Sequence, residues 1–442
     1  MTGKSRKAAR PALPDKSNGD SKLHHRLQPA SHKPMGAEPL MKTFRAAGVE
    51  YSVINLGSVT RVALMAIPQG RGTVREQAEE ALRTIRAALD KQACPQTVTV
   101  QTLFLKDEKD QAACEEVLAR HYGAQLPATS FIYQPPCSGA ALAIEAWAIG
   151  GDSVRLERHG PNVLTVGYDD LRWTYCGGIN PRQTTGGVYA QSLDAFAQMK
   201  SRLQQAGVEF DHVMRTWLVL GSITELEGSL ERYMELNRAR TDFYQDTRFG
   251  GHHVMPGIKK DMYPASTGIG MNGLNLTVSC TALDTPRKDV FLLPLENPQQ
   301  TPVYYYESCY SPKSPKFVRA MAGVIGDYTT IWVSGTASIV QSKTLHVGDA
   351  RKQTEQTIDN IECLIAPDNL AQHGAPGAGA KLSDLAKVRV YVKRSEDYPI
   401  CREVCQRRLG NVPAIYSIAD VCRSDLLVEI EGVAFAKRTS KS

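Results

Sequence analysis

Charged and apolar residues alternate along Asp425-Leu-Leu-Val-Glu429-Ile-Glu431-Gly-Val-Ala434. A period of two predicts a strand whose side chains point to opposite faces in turn, so Glu429 and Glu431 share one face. Such a face is either the solvated side of a sheet or the side from which an acid faces a ligand. The pattern alone leaves both open.

The same sequence of periods occurs three times along the chain. In the first unit, alternation over 51–67 predicts two strands. Ala78, Leu82, Ile85 and Leu89 then recur at helical spacing over 76–89. A strand is predicted at Val98 to Leu105, a helix at Gln111 to His121, and closing strands at 131–133 and 140–149. The order is β-β-α-β-α-β-β. The third unit repeats it, with a strand at 330–334, a helix at 352–365, a strand at 387–392, a helix at 398–409, a strand at 412–416 and the strand carrying Glu429. The middle unit has a helix whose Leu193, Phe196, Met199 and Leu203 share a face, a strand at 213–220, a helix at 226–244 and a hairpin beginning at Pro264. Self-similarity on this scale implies duplicated domains. The expected organisation is a basic arm over 1–37 and units at 38–151, 152–326 and 327–442. The middle unit ends in a Tyr- and Pro-rich irregular segment. The fold class is α+β.

Comparing the three closing strands separates the two glutamates. Ala143-Ile-Glu145 stands where the last strand has Glu429-Ile-Glu431, and the middle strand around 273–279 carries no Glu. Glu431 thus has a counterpart in one copy and Glu429 has none.

Composition narrows the function classes. A chain of 442 residues with 42% hydrophobic and 22% charged residues has the make-up of a soluble multidomain protein. No apolar run approaches the roughly 20 residues of a membrane helix. The 1–37 arm is rich in Lys, Arg, Pro, Ser and His and lacks a secretory core, so a cytoplasmic location is expected. The net charge of +6 suits a small anionic ligand. No zinc finger, basic helix or RNA-binding signature points to nucleic acid. Ten cysteines occur without a C-x-x-C pair, and His252-His253 lacks carboxylates at ligand spacing. Neither a metal nor a cofactor is expected. Gly268 and Gly270 lack the βαβ context of a dinucleotide loop, and 372–381 lacks the phosphate-loop pattern.

The element order, Val388-Arg-Val-Tyr-Val392 and Val428-Glu-Ile-Glu-Gly432 resemble the RidA/YjgF family of chorismate-mutase-like trimers. Over 155–436 the chain is more similar still to the chorismatases. The residues carrying this likeness include Arg215-Thr-Trp217, Tyr233, Arg240, Pro264-Ala-Ser-Thr-Gly-Ile-Gly270, Tyr310-Ser-Pro, Phe317-Val-Arg319, Ser334-Gly-Thr-Ala-Ser338, Asp420-Val-Cys-Arg423 and the last strand. A full first unit departs from that family, whose N-terminal segment is shorter.

The resemblance implies cleavage of chorismate to pyruvate and a cyclic acid, without a cofactor. It matches Glu429 to the catalytic acid. Protonating the enol-ether methylene requires a carboxyl group that burial keeps protonated. Two substrate carboxylates call for fixed cations, of which Arg319 is the first candidate and Arg402 the second. Arg215 and Arg240 are further candidates, and Tyr306 and Tyr310 would wall the ring, with Thr336 beside Gly335. Gly335 looks like the version in members that form a hydroxybenzoate, where hydrolysing members have Ala. Ile418 falls where some hydroxybenzoate-forming members have Cys. The first clue favours 3-hydroxybenzoate, and the second does not.

Other readings remain open on the sequence. Imine or enamine hydrolysis of the RidA type would need an Arg shortly before the last strand, and 413–416 has none. A ligand-binding or assembly protein could keep the fold without the chemistry. The three sheets could surround an intrachain pseudo-threefold axis, or the chain could form a homotrimer.

Overall fold

The computed structural model describes residues 39–183, 185–258, 262–307 and 312–439. Tyr310 lies outside them.

In the first sheet, β1 (Met41–Ala46), β2 (Val49–Asn55) and β3 (Thr60–Ala66) form a meander. Helix α1 (Val74–Leu89) leads to β4 (Thr97–Leu105), α2 (Gln111–Tyr122) leads to β5 (Ala128–Ile132), and β6 (Leu142–Gly150) closes the unit. The second sheet repeats this with β7 (Arg155–Arg158), β8 (Val163–Tyr168), β9 (Leu171–Ile179), α3 (Gly187–Gln205) and β10 (Val213–Gly221). A short hairpin, β11 (Leu226–Glu227) and β12 (Leu230–Glu231), precedes α4 (Arg232–Tyr244), β13 (Ala265–Met271) and β14 (Leu276–Asp284). The third sheet consists of β15 (Val290–Leu295), β16 (Ala320–Ile325), β17 (Tyr328–Ala337), β20 (Leu385–Val392), β21 (Ala414–Ile418) and β22 (Val428–Lys437). Between β17 and β20 come a hairpin, β18 (Ile339–Val340) and β19 (Lys343–Thr344), and helices α5 (Ala350–Ile365) and α6 (Pro367–Gln372). Helix α7 (Tyr398–Leu409) joins β20 to β21.

Strand order is the same in all three sheets: β1-β2-β3-β6-β4-β5, β7-β8-β9-β14-β10-β13 and β15-β16-β17-β22-β20-β21. A helix crosses between the parallel pairs β4/β5, β10/β13 and β20/β21, as parallel neighbours require. The closing strand of each unit is inserted antiparallel into the middle of its sheet.

Three details differ from the sequence expectation. Each unit opens with one further edge strand, which the two-strand opening missed. In the second unit the helix starts at Arg232 rather than 226, because Gly228 at φ +70° turns the chain into the β11–β12 hairpin. The third sheet begins at Val290, upstream of 327, and 327 falls inside the β16–β17 hairpin. The sequence reading assigns 290–295 to the second unit. Pro294 is tolerated there because β15 is an edge strand, whose outer side carries among the described residues only the isolated bridge between Leu292 and Val254.

Local signals explain the helices. Thr73 caps α1 in a reciprocal pair with Glu76, and Asp349 accepts from the Lys352 amide at the start of α5. The apolar stripe of α1 is buried at Ala78, Leu82, Ile85 and Leu89, and that of α3 at Phe196, Met199 and Leu203. Helices cover one face of each sheet, and the other face meets the neighbouring sheets. There β5 lies against β9, β13 against β17, and β20 against β2 and β3. The four tryptophans meet on these inner faces, with Trp147, Trp173 and Trp217 each 6.3–6.4 Å from Trp332. Among the described residues no helix is long and apolar enough to cross a membrane.

Candidate functional site

Strand β22 runs between β17 and β20, in register Ala337–Glu429–Tyr391, with Arg389 opposite Glu431. The same register in β6 sets Ala143 opposite Phe104 and Glu145 opposite Thr102. In β14 it sets Thr277 opposite Val219 and Ser279 opposite Trp217. Glu429 thus corresponds to Ala143 and Thr277, and Glu431 to Glu145 and Ser279.

The two glutamates are both buried and have opposite surroundings. Glu431 is ion-paired to Arg215 of β10 at 2.7 Å and accepts from Trp217 Nε1 at 2.9 Å and from the Thr267 hydroxyl. Arg389 Nε stands 3.4 Å away. Burial alone would raise its carboxyl, but Arg215, Arg389 and Lys387 outweigh that and hold it below the usual range. Glu145 is clamped in the same way by Arg389 Nε at 2.6 Å and Lys387 Nζ at 3.1 Å, which bring it to about 2 against the pull of burial. These pairs tie β10 to β22 and β20 to β6, so each spans two sheets. At the remaining seam Ser130 Oγ lies 2.9 Å from Ser279 Oγ, and the buried Arg61 of β3 donates to Tyr175 Oη of β9 at 3.0 Å.

Glu429 has no such partners. Only 4% exposed, it makes no hydrogen bond or ion pair with the described residues. Burial, reinforced by the negative Glu431, pushes its carboxyl up to about 8 despite Arg215 and Arg319. At neutral pH it is a protonated acid.

This acid faces a cavity of about 290 Å³ between the second and third sheets. One wall comes from β13 (Ser266, Gly268) and α4 (Tyr233, Asn237), and the other from β17 (Gly335, Ala337), Glu429 and residues 422–425. Val303, Tyr306, Phe317 and Arg319 also line it, as does the acidic Glu231. Arg319 Nη2 donates to Tyr306 Oη at 2.6 Å, and the Arg423 guanidinium stands 5.4 Å from the same ring. Two guanidinium groups therefore flank one tyrosine. Burial pushes the Cys422 thiol up to about 12, so it is neutral. Gly335 lets the Glu429 carboxyl lie close against β17, because a Cβ there would meet Glu429 Oε1 and displace it. Its amide donates to Thr267 Oγ1 at 3.0 Å.

Of the residues expected from sequence, Glu429, Arg319, Tyr306 and Gly335 meet in this cavity. Arg215 lies beneath it as the partner of Glu431, and Arg240 lies behind the wall, donating to Ser266 and Asn237. Three others also fall outside the lining. Thr336 points to the opposite face of β17 from Gly335 and Ala337 and donates to the Ser334 carbonyl. Arg402 sits on α7 at a separate cavity of about 80 Å³ beside Arg45 and Glu50, because α7 packs toward the first sheet and not the second. Ile418 ends β21, where its amide donates to the Pro135 carbonyl across the seam to the first unit. The cysteine on the cavity wall is Cys422, four residues further on. Asn237, Ser266, Tyr233, Cys422 and Arg423 were missed as site residues. All five fall in or near the motifs that carry the resemblance, and that was the available signal.

No protein-family model matches the chain. It is 35% identical over 299 residues to a 3-hydroxybenzoate synthase of Streptomyces hygroscopicus, covering 65% of this chain and 80% of that one. A chorismatase of the same organism is 36% identical over 254 residues, covering 57% of this chain and 70% of its own length. A crystal structure of a chorismatase superposes with a TM-score of 0.58 at 22% identity, covering 76% of this chain and 93% of that one.

Proposed function

The chain belongs to the chorismatase family, and from that premise we propose that it cleaves chorismate to pyruvate and 3-hydroxybenzoate, with Glu429 as the proton donor. The observation that carries the mechanism is a neutral, buried carboxyl group, without hydrogen bonds among the described residues, on the wall of a cavity that also presents two guanidinium groups.

Glu429 delivers its proton to the methylene carbon of the enolpyruvyl group, which leaves positive charge on the ether carbon. Capture of that carbon by an oxygen nucleophile and collapse of the adduct break the bond to the ring oxygen and release pyruvate. With water as nucleophile the ring product is a dihydroxycyclohexadiene carboxylate. Loss of one water from the ring aromatises it to the hydroxybenzoate, so that route consumes no water overall. Arg319 and Arg423 hold substrate carboxylate through N–H donors. Their charge also favours the ionised Glu429 that remains after proton transfer.

The absence of a side chain at 335 supports the hydroxybenzoate product, whereas Ile418, where some hydroxybenzoate-forming members have Cys, does not. Incubation with chorismate and chromatography of the products tests the reading. Wild-type protein is expected to release pyruvate and 3-hydroxybenzoate in equal amounts, and a correctly folded Glu429→Gln variant neither. Chorismate left intact by the wild type would refute it.

A further inference from the structure

We infer that Cys176 and Cys280 form a redox-active dithiol, which a small neutral peroxide closes to a disulfide between two strands of the second sheet. The inference does not depend on which substrate the Glu429 cavity takes.

Cys176 of β9 stands directly opposite Cys280 of β14 in their antiparallel register. Residues so placed have Cα atoms about 4.5–5.5 Å apart, inside the roughly 4.4–6.8 Å that a disulfide spans, so the bond forms without moving either strand. Opposite residues also point to the same face of the sheet. Here it is the face under α3, where both thiols pack in one apolar cluster with Phe196 and Met199. They are 1% and 2% exposed, and both are free. Among the described residues no other two cysteines are strand partners.

The pair is not symmetric. The Cys280 thiol lies close enough to turn its proton toward the Cys176 sulfur, and Arg202 of α3 brings a guanidinium to the same sulfur. Against the pull of burial these contacts hold the Cys176 thiol below its ordinary value, and the contact with Cys176 raises that of Cys280. Burial pushes Cys114, Cys137, Cys401, Cys405 and Cys422 upward instead. Cys176 is therefore the nucleophile of the pair and Cys280 the thiol that resolves it.

Hydrogen peroxide balances the reaction. The Cys176 thiolate attacks one peroxide oxygen, the O–O bond breaks, and the departing hydroxide takes up the thiol's proton as water. The Cys280 sulfur then attacks the sulfenic acid left on Cys176, the S–O bond breaks, and a second water leaves. Two thiols lose two electrons and one peroxide becomes two waters. The bond closes a loop of about 100 residues that holds α3, β10, α4 and β13, and with them the second-sheet wall of the Glu429 cavity. Closing so long a loop removes entropy from the unfolded chain, so the oxidised protein is the more stable form.

The full chain is treated with hydrogen peroxide under native conditions, its remaining thiols are alkylated after unfolding, and its peptides are mapped by mass spectrometry. A cross-link between Cys176 and Cys280 is expected before any other cysteine is oxidised. Dithiothreitol should remove it, and its presence should raise the thermal midpoint by a few degrees. Arg202→Met should slow its formation severalfold. Cys280→Ser should accumulate a sulfenic acid at Cys176 that dimedone traps, and Cys176→Ser should accumulate none at Cys280. Wild-type protein in which peroxide oxidises the half-buried Cys94 and Cys363 while Cys176 and Cys280 are recovered alkylated overturns the inference. A cross-link that forms only after the chain has been unfolded overturns it as well.

Discussion

Replacing Glu429 by Gln should change how stability depends on pH, and the size of the change follows from the carboxyl's surroundings. In the folded chain this group titrates at about 8, against 4.5 in an ordinary setting. Between those values the folded state keeps a proton that the unfolded state has released. Stability then falls as pH rises, by about 1.4 kcal/mol per unit. Over the whole window this amounts to about 5 kcal/mol, present below pH 4.5 and lost above pH 8. Glutamine keeps the shape and stays neutral, so the variant lacks this slope while all other titrating groups remain. Urea unfolding of both proteins at half-unit steps from pH 5 to 8.5 measures it. The stability difference between Glu429→Gln and wild type should move in the variant's favour by about 4 kcal/mol across that range. The same group predicts that wild-type kcat/KM declines above about pH 8 as the acid ionises. Parallel stability curves for the two proteins would show that Glu429 is not held protonated, and the proton-donor role would fall with it.

Gly335→Ala should push a methyl group against the Glu429 carboxyl, cut turnover, and let a dihydroxycyclohexadiene carboxylate appear beside hydroxybenzoate by chromatography. Arg215→Met strands Glu431 as a buried carboxylate with fewer partners, and should lower stability by about 3–5 kcal/mol in urea unfolding. Because three sheets already contact one another pairwise in one chain, sedimentation should give a single species near 48.5 kDa rather than three times that mass.

The periodic part of the fold was open to reading from sequence. Stripes such as Ala78–Leu82–Ile85–Leu89 and the alternation around Glu429 depend only on neighbours a few residues apart. What escaped was set by distant partners or by edges. β15 contains Pro294 and lies outside the apparent repeat, so only its pairing with β16 reveals it as a strand. Arg402 has the residue type and helical position of a substrate ligand, but which sheet α7 faces is a property of the packing. Asn237 and Ser266 are unremarkable polar residues until Arg240 orients them. Glu429 and Glu431 were partly separable, because the repeats showed which position was unique. Their opposite protonation depends on Arg215, more than 200 residues earlier in the chain, and no local pattern carries that.

The insertion of β22 between β17 and β20 has a consequence for biosynthesis. A polypeptide interrupted before Val428 lacks the middle strand of its third sheet, so β17 and β20 have no ladder to join them. It also leaves Arg215, already built into the second sheet, with no Glu431 to neutralise it. Such a fragment is expected to be unstable. The proposed proton donor arrives on the strand that completes the third sheet, so a chain able to close that sheet is one that carries Glu429.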